Sequence, residues 1–246
     1  MSQTETQRVA AALRDAITRG DYTPGDRLPR AEDLAPGYGV GKYTVFAALR
    51  ILATEGLVTM VRRGGTFVRE QAPVSVVTRD RGVYSDERGW YFDPAAVNWE
   101  LVIRPTTVTW QPAPPDIAAI LGTTDDVLRR NRAVGPPGAE RAEQLAVSHV
   151  APDIAHALDL GVPYTGTGGI YARFEDAGYR LDWTERVGAR MPAPIEAEEL
   201  ACPPGVPLLR VLRVTSGRAG TGRRVLSVDE ILQRADRYAY AYRLRR

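Results

Sequence analysis

Arginine carries most of the chemistry that this sequence could do. Arg62-Arg63-Gly64-Gly65 is a basic, glycine-rich tetrapeptide between two short apolar runs, Leu57-Val58-Thr59-Met60-Val61 and Thr66-Phe67-Val68. At a hairpin tip such arginines reach phosphates or a minor groove, and the glycines let the backbone come close. Just upstream, Tyr43 and Arg50 fall on the outward face of a helical period, with Lys42 and Thr44 in its first turn and Phe46 on its flank. Lys42 and Arg50 suit phosphates or guanine edges, and Phe46 suits a thymine methyl group. Far downstream, Arg130 and Arg132 alternate on one face of a strand, where planar guanidinium forks suit phosphate or carboxylate. Thr165-Gly166-Thr167-Gly168-Gly169 runs into a helix, and the free N–H groups of Gly168 and Gly169 are placed to hold an anion.

Enzymatic chemistry has less support. There is no recognisable pair of catalytic carboxylates, no Ser or Cys–His nucleophile elbow and no metal-ligand spacing. Glu185 and Arg132 could assist a reaction in a pocket, but nothing requires it. Two histidines and one cysteine argue against a His/Cys metal site and against a disulfide framework. The expectation is a non-enzyme without a cofactor or metal.

The net charge is +2, from 32 basic and 30 acidic residues. Residues 1–70 hold ten of the basic and eight of the acidic residues, which leaves 32 − 10 = 22 against 30 − 8 = 22 in the remainder. The whole excess therefore sits in the first segment, which permits nucleic-acid binding without establishing it. Apolar content of 44% and charged content of 25% fit a soluble globular protein. No apolar stretch is long enough to span a membrane, and the N-terminal twenty residues carry charge throughout. A cytoplasmic protein without a membrane partner is expected.

The elements that would position these residues follow from periodicity. Val9, Leu13, Ala16 and Ile17 mark an amphipathic helix over 6–19 that Gly20 ends. Pro24-Gly25 marks a turn, a short helix spans 31–35, and Gly39 turns the chain. Val45, Ala48, Leu49 and Leu52 form the inner stripe of a third helix over 41–55. The two apolar runs then make a hairpin. Three helices followed by a basic hairpin describe a winged helix-turn-helix, whose third helix is slim enough for the major groove.

Residues 70–89 read as a linker with a short strand. Beyond it, helices are expected at 115–121, 152–158, 169–177 and 194–201. Strands are expected at 127–134, 145–151, 181–190, 208–216, 225–232 and 238–244. Strands outnumber helices and come in adjacent pairs, which predicts an α+β domain with an antiparallel sheet. Pro115-x-x-Ala118-x-x-Leu121 followed by Val127, Arg132 and Val134 is echoed by Pro194-x-x-Ala197-x-x-Leu200 followed by Val206, Arg213 and Val214. A domain with pseudo-twofold symmetry would explain the echo.

In the first segment, PGDRLP, LA followed by YGV, TV followed by AL, EGLV and GGTFV stand in order. They resemble the DNA-binding domain of GntR-type regulators. Arg30-Ala31-Glu32 stands where that family usually has Ser-Glu-Arg, so Arg30 joins the DNA-contact candidates while Glu32 replaces a common base-reading arginine. Phe46 replaces another, and Pro36 falls inside the second helix, where a lost hydrogen bond would shorten or kink it. In the second segment, PDIAAILG, VLRRNRAV, QLAVSHVAPDIA, GGIYARFEDAGY, GVPLLRVLRV and ADRYAY resemble the UTRA ligand-sensing domain of the HutC branch of the same family. That domain is similar in fold to chorismate lyase. The resemblance implies a winged helix-turn-helix over 1–70, a linker over 71–89 and an effector-binding domain over 90–246. It also places Arg130 and Arg132 where sugar-phosphate sensors grip their effector. Glu143, His149, Tyr171 and Glu185 fall in segments that line the pocket, and Ser227 stands where such sensors often carry a glutamate. The partners it implies are a near-palindromic operator in double-stranded DNA, a small effector with an anionic group, and a second copy of the chain. The implied function is a repressor. Two rivals remain at this point, an enzyme on a lyase fold and a sensor whose DNA-binding role has decayed.

Overall fold

The computed structural model describes residues 4–70, 74–79, 84–85, 91–92, 100–101, 106–165 and 169–242. The chain divides into two compact units, Met1–Val74 with Cys202–Val206, and Ser75–Ala201 with Pro207–Arg246.

The first unit opens with helix α1 (Glu5–Arg19). Thr4 caps it, its hydroxyl accepting the Gln7 N–H while the Gln7 side chain accepts the Thr4 N–H. Gly20, at φ 86°, ends it in the left-handed conformation that glycine adopts without a steric penalty. Helix α2 (Ala31–Tyr38) is longer than its sequence predicts. Pro36 does not stop it, because proline removes only its own N–H bond while the Val40 N–H still reaches the Ala35 carbonyl. Helix α3 (Lys42–Thr54) follows. Strands β1 (Val58–Val61) and β2 (Gly65–Val68) form an antiparallel hairpin joined by Arg62, Arg63 and Gly64. Val9, Leu13, Val45, Leu49, Leu52, Val58 and Val68 bury together between these elements. Leu13 and Leu52 are wholly inaccessible, so each stabilises the unit by about 1.5–3 kcal/mol relative to exposure.

The second unit begins inside the expected linker. Strand β3 (Ser75–Arg79) is the short strand foreseen there, followed by β4 (Tyr84–Ser85), β5 (Tyr91–Phe92) and β6 (Glu100–Leu101). Strand β7 (Thr107–Gln111) was not foreseen, since a half-exposed edge strand of Thr-Val-Thr-Trp-Gln lacks a clean apolar alternation. Then come α4 (Pro115–Leu121), β8 (Val127–Gly135), β9 (Gln144–Val150), α5 (Pro152–Ala157), α6 (Gly169–Asp176), β10 (Arg180–Arg190) and α7 (Pro194–Glu199). Strands β11 (Leu208–Ala219), β12 (Gly222–Arg234) and β13 (Tyr238–Tyr242) complete it.

The main sheet runs β10-β11-β12-β9-β8, with β6 and β7 both paired to β8, and its pairings are antiparallel. The sequence echo has a structural counterpart. The unit β7-α4-β8 and the unit β10-α7-β11 have the same order, each a strand, a short helix opening on proline and an antiparallel return strand. They occupy opposite ends of the sheet, with β9 and β12 between them.

Register fixes what each face carries, because successive side chains of a strand point to opposite sides. One row of partners across the sheet is Leu128, Val150, Ser227, Thr215 and Trp183. The next row on the same face is Arg130, Ser148, Asp229, Arg213 and Glu185. Helices α5 and α6 cover part of this front face, where Phe174, Tyr171, Ile154 and Leu160 pack against Leu128, Val150 and Leu226. On the reverse face, Ile117 of α4 packs against Leu212, Val214 and Val228.

Candidate nucleic-acid interface and ligand-sensing face

In the first unit, burial of Val45, Ala48, Leu49 and Leu52 fixes the rotation of α3. The opposite stripe is left to solvent. Tyr43 is 79% exposed and Phe46 49%, and Lys42 and Arg50 are exposed beside them, with Thr44 half-buried. Lys42 Nζ lies 5.4 Å from the centre of the Tyr43 ring, a cation held over an aromatic face. Phe46 therefore does not pack inward. Arg30 is the exposed residue that precedes α2, and its N–H is held by the Asp33 carboxylate.

The hairpin tip is tightly built. Arg62 and Arg63 are exposed, and Arg63 takes a left-handed φ of 61°. A Cβ on Gly64 would come within 2.7 Å of Val61 Cγ1, so this position accepts glycine alone without a shift. Arg27 carries no signal in the sequence, yet its guanidinium lies against Gly65 and its backbone bridges Phe67, which sets a further arginine beside the tip.

Pairing separates the cations of this unit into two groups. Arg14 is bound to Glu55 and Arg19 to Asp21, while Arg8 and Arg69 donate to backbone carbonyls. Among the described residues, Arg27, Arg30, Lys42, Arg50, Arg62 and Arg63 have no acidic partner. Positive charge is thus free on the outward helix, the start of α2 and the hairpin, the places a groove-binding protein needs it.

In the second unit the front face holds a buried polar cluster around Asp229, which sequence reading missed. Asp229 is 6% exposed. Its carboxylate accepts from the Tyr171 hydroxyl at 2.6 Å and from the Ser148 hydroxyl. Arg132 donates to Ser148 Oγ at 2.7 Å and stands 3.8 Å from the carboxylate. Burial and then the neighbouring Asp229 charge push the Tyr171 hydroxyl well above its ordinary pKa, so it stays a proton donor. Trp183 meets the Tyr171 ring edge-on at 5.7 Å, and Glu185 forms an ion pair with Arg213 at 2.8 Å. Ser227 Oγ and Arg132 Nε are buried here without a hydrogen-bond partner.

Tyr171, Glu185, Ser227, Arg130 and Arg132 are thus brought to one face, but Arg130 is otherwise engaged. It is 5% exposed and donates to the carbonyls of Leu160, Val162 and Pro163 at 3.0, 2.5 and 2.9 Å. Burial, then Arg132, lowers its pKa to about 10. It anchors the loop that leads to α6. Gly169 opens α6 at φ 63°, and Gly168 lies outside the described residues. Glu143 is not in the cluster; at the end of the sheet it accepts from Arg237 and from the Tyr238 hydroxyl. His149 is not in it either. It is the neighbour of Ser148 on β9, so it points to the reverse face.

That reverse face has an open cleft of about 570 Å³ whose lining includes Gln111, Arg129, His149, Arg190, Arg210 and Glu230. Arg190 binds Glu196 through both terminal nitrogens, and Arg210 bridges Glu230 and Asp116. His149 is 2% exposed, and neither ring nitrogen has a hydrogen-bond partner. Burial drives its pKa down to about 4, so the ring is neutral near pH 7.

An exposed, cationic helix with a basic hairpin, joined to a sheet that carries a buried polar cluster, defines a DNA-binding regulator with a ligand-sensing domain. Comparison with known proteins gives the lineage. Residues 5–68 match the gntR family of bacterial regulatory proteins, and residues 103–239 match the UTRA domain. The chain belongs to the GntR family of transcription regulators, in the branch with a UTRA domain. It is 30% identical to an uncharacterised HTH-type transcriptional regulator of Streptomyces coelicolor, SCO4628, over 96% of this chain and 91% of that one. The histidine utilization repressor of Klebsiella aerogenes is 31% identical over 80 residues, 32% of this chain and 33% of that protein. A crystal structure of a GntR-family transcriptional regulator superposes with a TM-score of 0.67 at 26% identity, covering 99% of this chain and 98% of the other. Among the described residues, no helix is long and apolar enough to cross a membrane.

Proposed function

We propose that this regulator is a dimeric repressor, with one α3 helix in each half of a near-palindromic operator, and that a small effector on the Asp229 face alters operator binding. The observation that carries the first part is the segregation of unpaired cations onto α3, the start of α2 and the hairpin. The decayed-sensor alternative fits this poorly, since a surface with no DNA to hold has no need to keep its cations free of acidic partners.

The Asp229 cluster supports the second part. Arg132 presents a cation with an unpartnered Nε, which suits an anionic group. The Asp229 carboxylate has lone pairs left beyond those used by Ser148 and Tyr171, which suit a hydroxyl or ammonium donor. An effector with both an anionic group and such a donor fits this face. Arg130 contributes by holding the adjoining loop, and Glu185, Ser227, Tyr171 and Gly169 contribute to the walls. A ligand shifts the protein only as far as it prefers one state, and couplings of about 1–3 kcal/mol are typical.

The test is fluorescence anisotropy on DNA from upstream of the protein's own gene, across a salt series. A site-specific complex whose affinity falls as salt rises supports the reading. Affinity equal to that for bulk competitor DNA at every salt concentration overturns it.

A further inference from the structure

The effector reading leaves the reverse face of the sheet unexplained. Every acidic side chain described above in its cleft is already matched, Glu196 by Arg190 and both Glu230 and Asp116 by Arg210. Two groups remain. Arg129 has no hydrogen bond or ion pair among the described residues. His149 stands directly across from it on the neighbouring strand, with both ring nitrogens buried and unpartnered.

A buried polar group without a partner is uncommon in a native protein and calls for an explanation, such as a missing bound molecule. Here the free groups sit side by side, within reach of an open cleft of about 570 Å³. That is a volume typical of small-molecule sites. A planar guanidinium pairs with a carboxylate through two parallel hydrogen bonds. A neutral imidazole next to it supplies one donor and one acceptor, the complement of a hydroxyl group. Arg190 and Arg210 face three carboxylates, Glu196, Glu230 and Asp116, so Arg129 brings the lining to neutrality and also acts on Glu196, and a bound carboxylate adds one negative charge to the cleft. This face is separated by the sheet itself from the Asp229 cluster, because Ser148 and His149 are consecutive on β9.

We infer that the cleft is a second ligand site, which takes a small 2-hydroxy monocarboxylate with its carboxylate on Arg129 and its hydroxyl on His149. Such a ligand would lie on the opposite side of the sheet from anything bound at Asp229.

The chain has only two histidines, which makes the test site-specific. Glycolate is titrated into the full-length, isotope-labelled protein while the imidazole nitrogen resonances are followed by NMR. His156, stacked on Trp110 at 4.3 Å, is the internal control. The expected result is a saturable shift of the His149 signal alone, with a Kd on the order of 1 mM for so few contacts. Acetate, which lacks the hydroxyl, should bind more weakly and move the His149 nitrogens less. Arg129→Gln should weaken glycolate roughly tenfold or more, the scale of a lost charge-assisted pair. Arg129→Lys should fall between the two and serves if the glutamine variant misfolds. Arg132→Gln, on the other face, should leave glycolate binding unchanged. The inference is overturned if His149 shows no saturable shift, if it responds equally in Arg129→Gln, or if Arg132→Gln abolishes the response.

Discussion

The hairpin arginines give the sharpest quantitative expectation. Arg62 and Arg63 are exposed and have no acidic partner among the described residues, so on DNA each should release counterions in full. Replacing both by alanine removes two cations per protomer, hence four per dimer. At a slope of about 0.9 per phosphate contact, log K against log salt should flatten by about 3.6. Between about 50 and 200 mM salt, the wild type should then lose about 150-fold more affinity than the double variant. The assay is anisotropy on an operator fragment at four or more salt concentrations, with protein concentration well above that needed for dimerisation. Arg14→Ala is the matched control, because Arg14 is already bound to Glu55 at 2.6 Å; its slope should stay close to the wild type. An unchanged slope in the hairpin variant would refute the assignment, whatever its effect on affinity. A flattened slope in the control would show that pairing in the free protein does not predict release on DNA.

Other expectations follow from single residues. Arg130→Leu should destabilise the second unit by about 2–5 kcal/mol in urea, since three carbonyls lose a buried donor, while operator affinity per folded molecule is kept. Asp229→Asn should leave operator affinity intact and abolish the response to effector in the same anisotropy assay; an unaltered response would remove Asp229 from the sensing site. His149 is neutral when folded, with a pKa of about 4 against about 6.5 when unfolded. Its contribution is present above pH 6.5 and is lost as pH falls towards 4, because only the unfolded chain takes up the proton there. The loss should reach about 3 kcal/mol, and a His149→Gln variant should flatten stability across this window. Asp116, Asp153 and Asp182 are held below their ordinary pKa by Arg210, Arg224 and Arg223 respectively, so their contributions disappear only at still lower pH.

The readability of this sequence was uneven for physical reasons. The first unit was legible because α1 and α3 each bury one regular stripe, and because glycines mark the turns. The extent of α2 was misread, since a proline warns of a lost hydrogen bond but cannot say whether the remaining turn is kept by Gly39. In the second unit, element order was legible from proline and apolar spacing except for β7, and so was the echo of a helix, a turn and a strand. The site was harder. Resemblance could name segments but not assign faces, and a strand reverses face at each residue. His149 and Ser148 differ by one position, and it is Ser148 that points to the front cluster. Asp229 escaped because a lone acidic residue in an apolar strand has no signature until Tyr171 and Ser148 are seen to converge on it. Arg130 falls on the front face as expected of a strand alternating with Arg132, but only geometry shows that its donors are taken by Leu160, Val162 and Pro163.

The parallel pairing of β3 with β13 bears on how a signal would travel. Residues 75–79 follow directly on the segment that ends the first unit, and they align with Tyr238–Tyr242. Tyr238 lies nine positions beyond Asp229, just past the end of β12. A shift of β12 along its length would therefore tug on the strand that leads out of the DNA-binding unit. On the proposed reading of the Asp229 face, β13 would serve as a connecting rod between β12 and the strand that follows the first unit. Epitope tags or truncations that disturb residues 238–242 should leave both units folded while disconnecting the sensor from the reader.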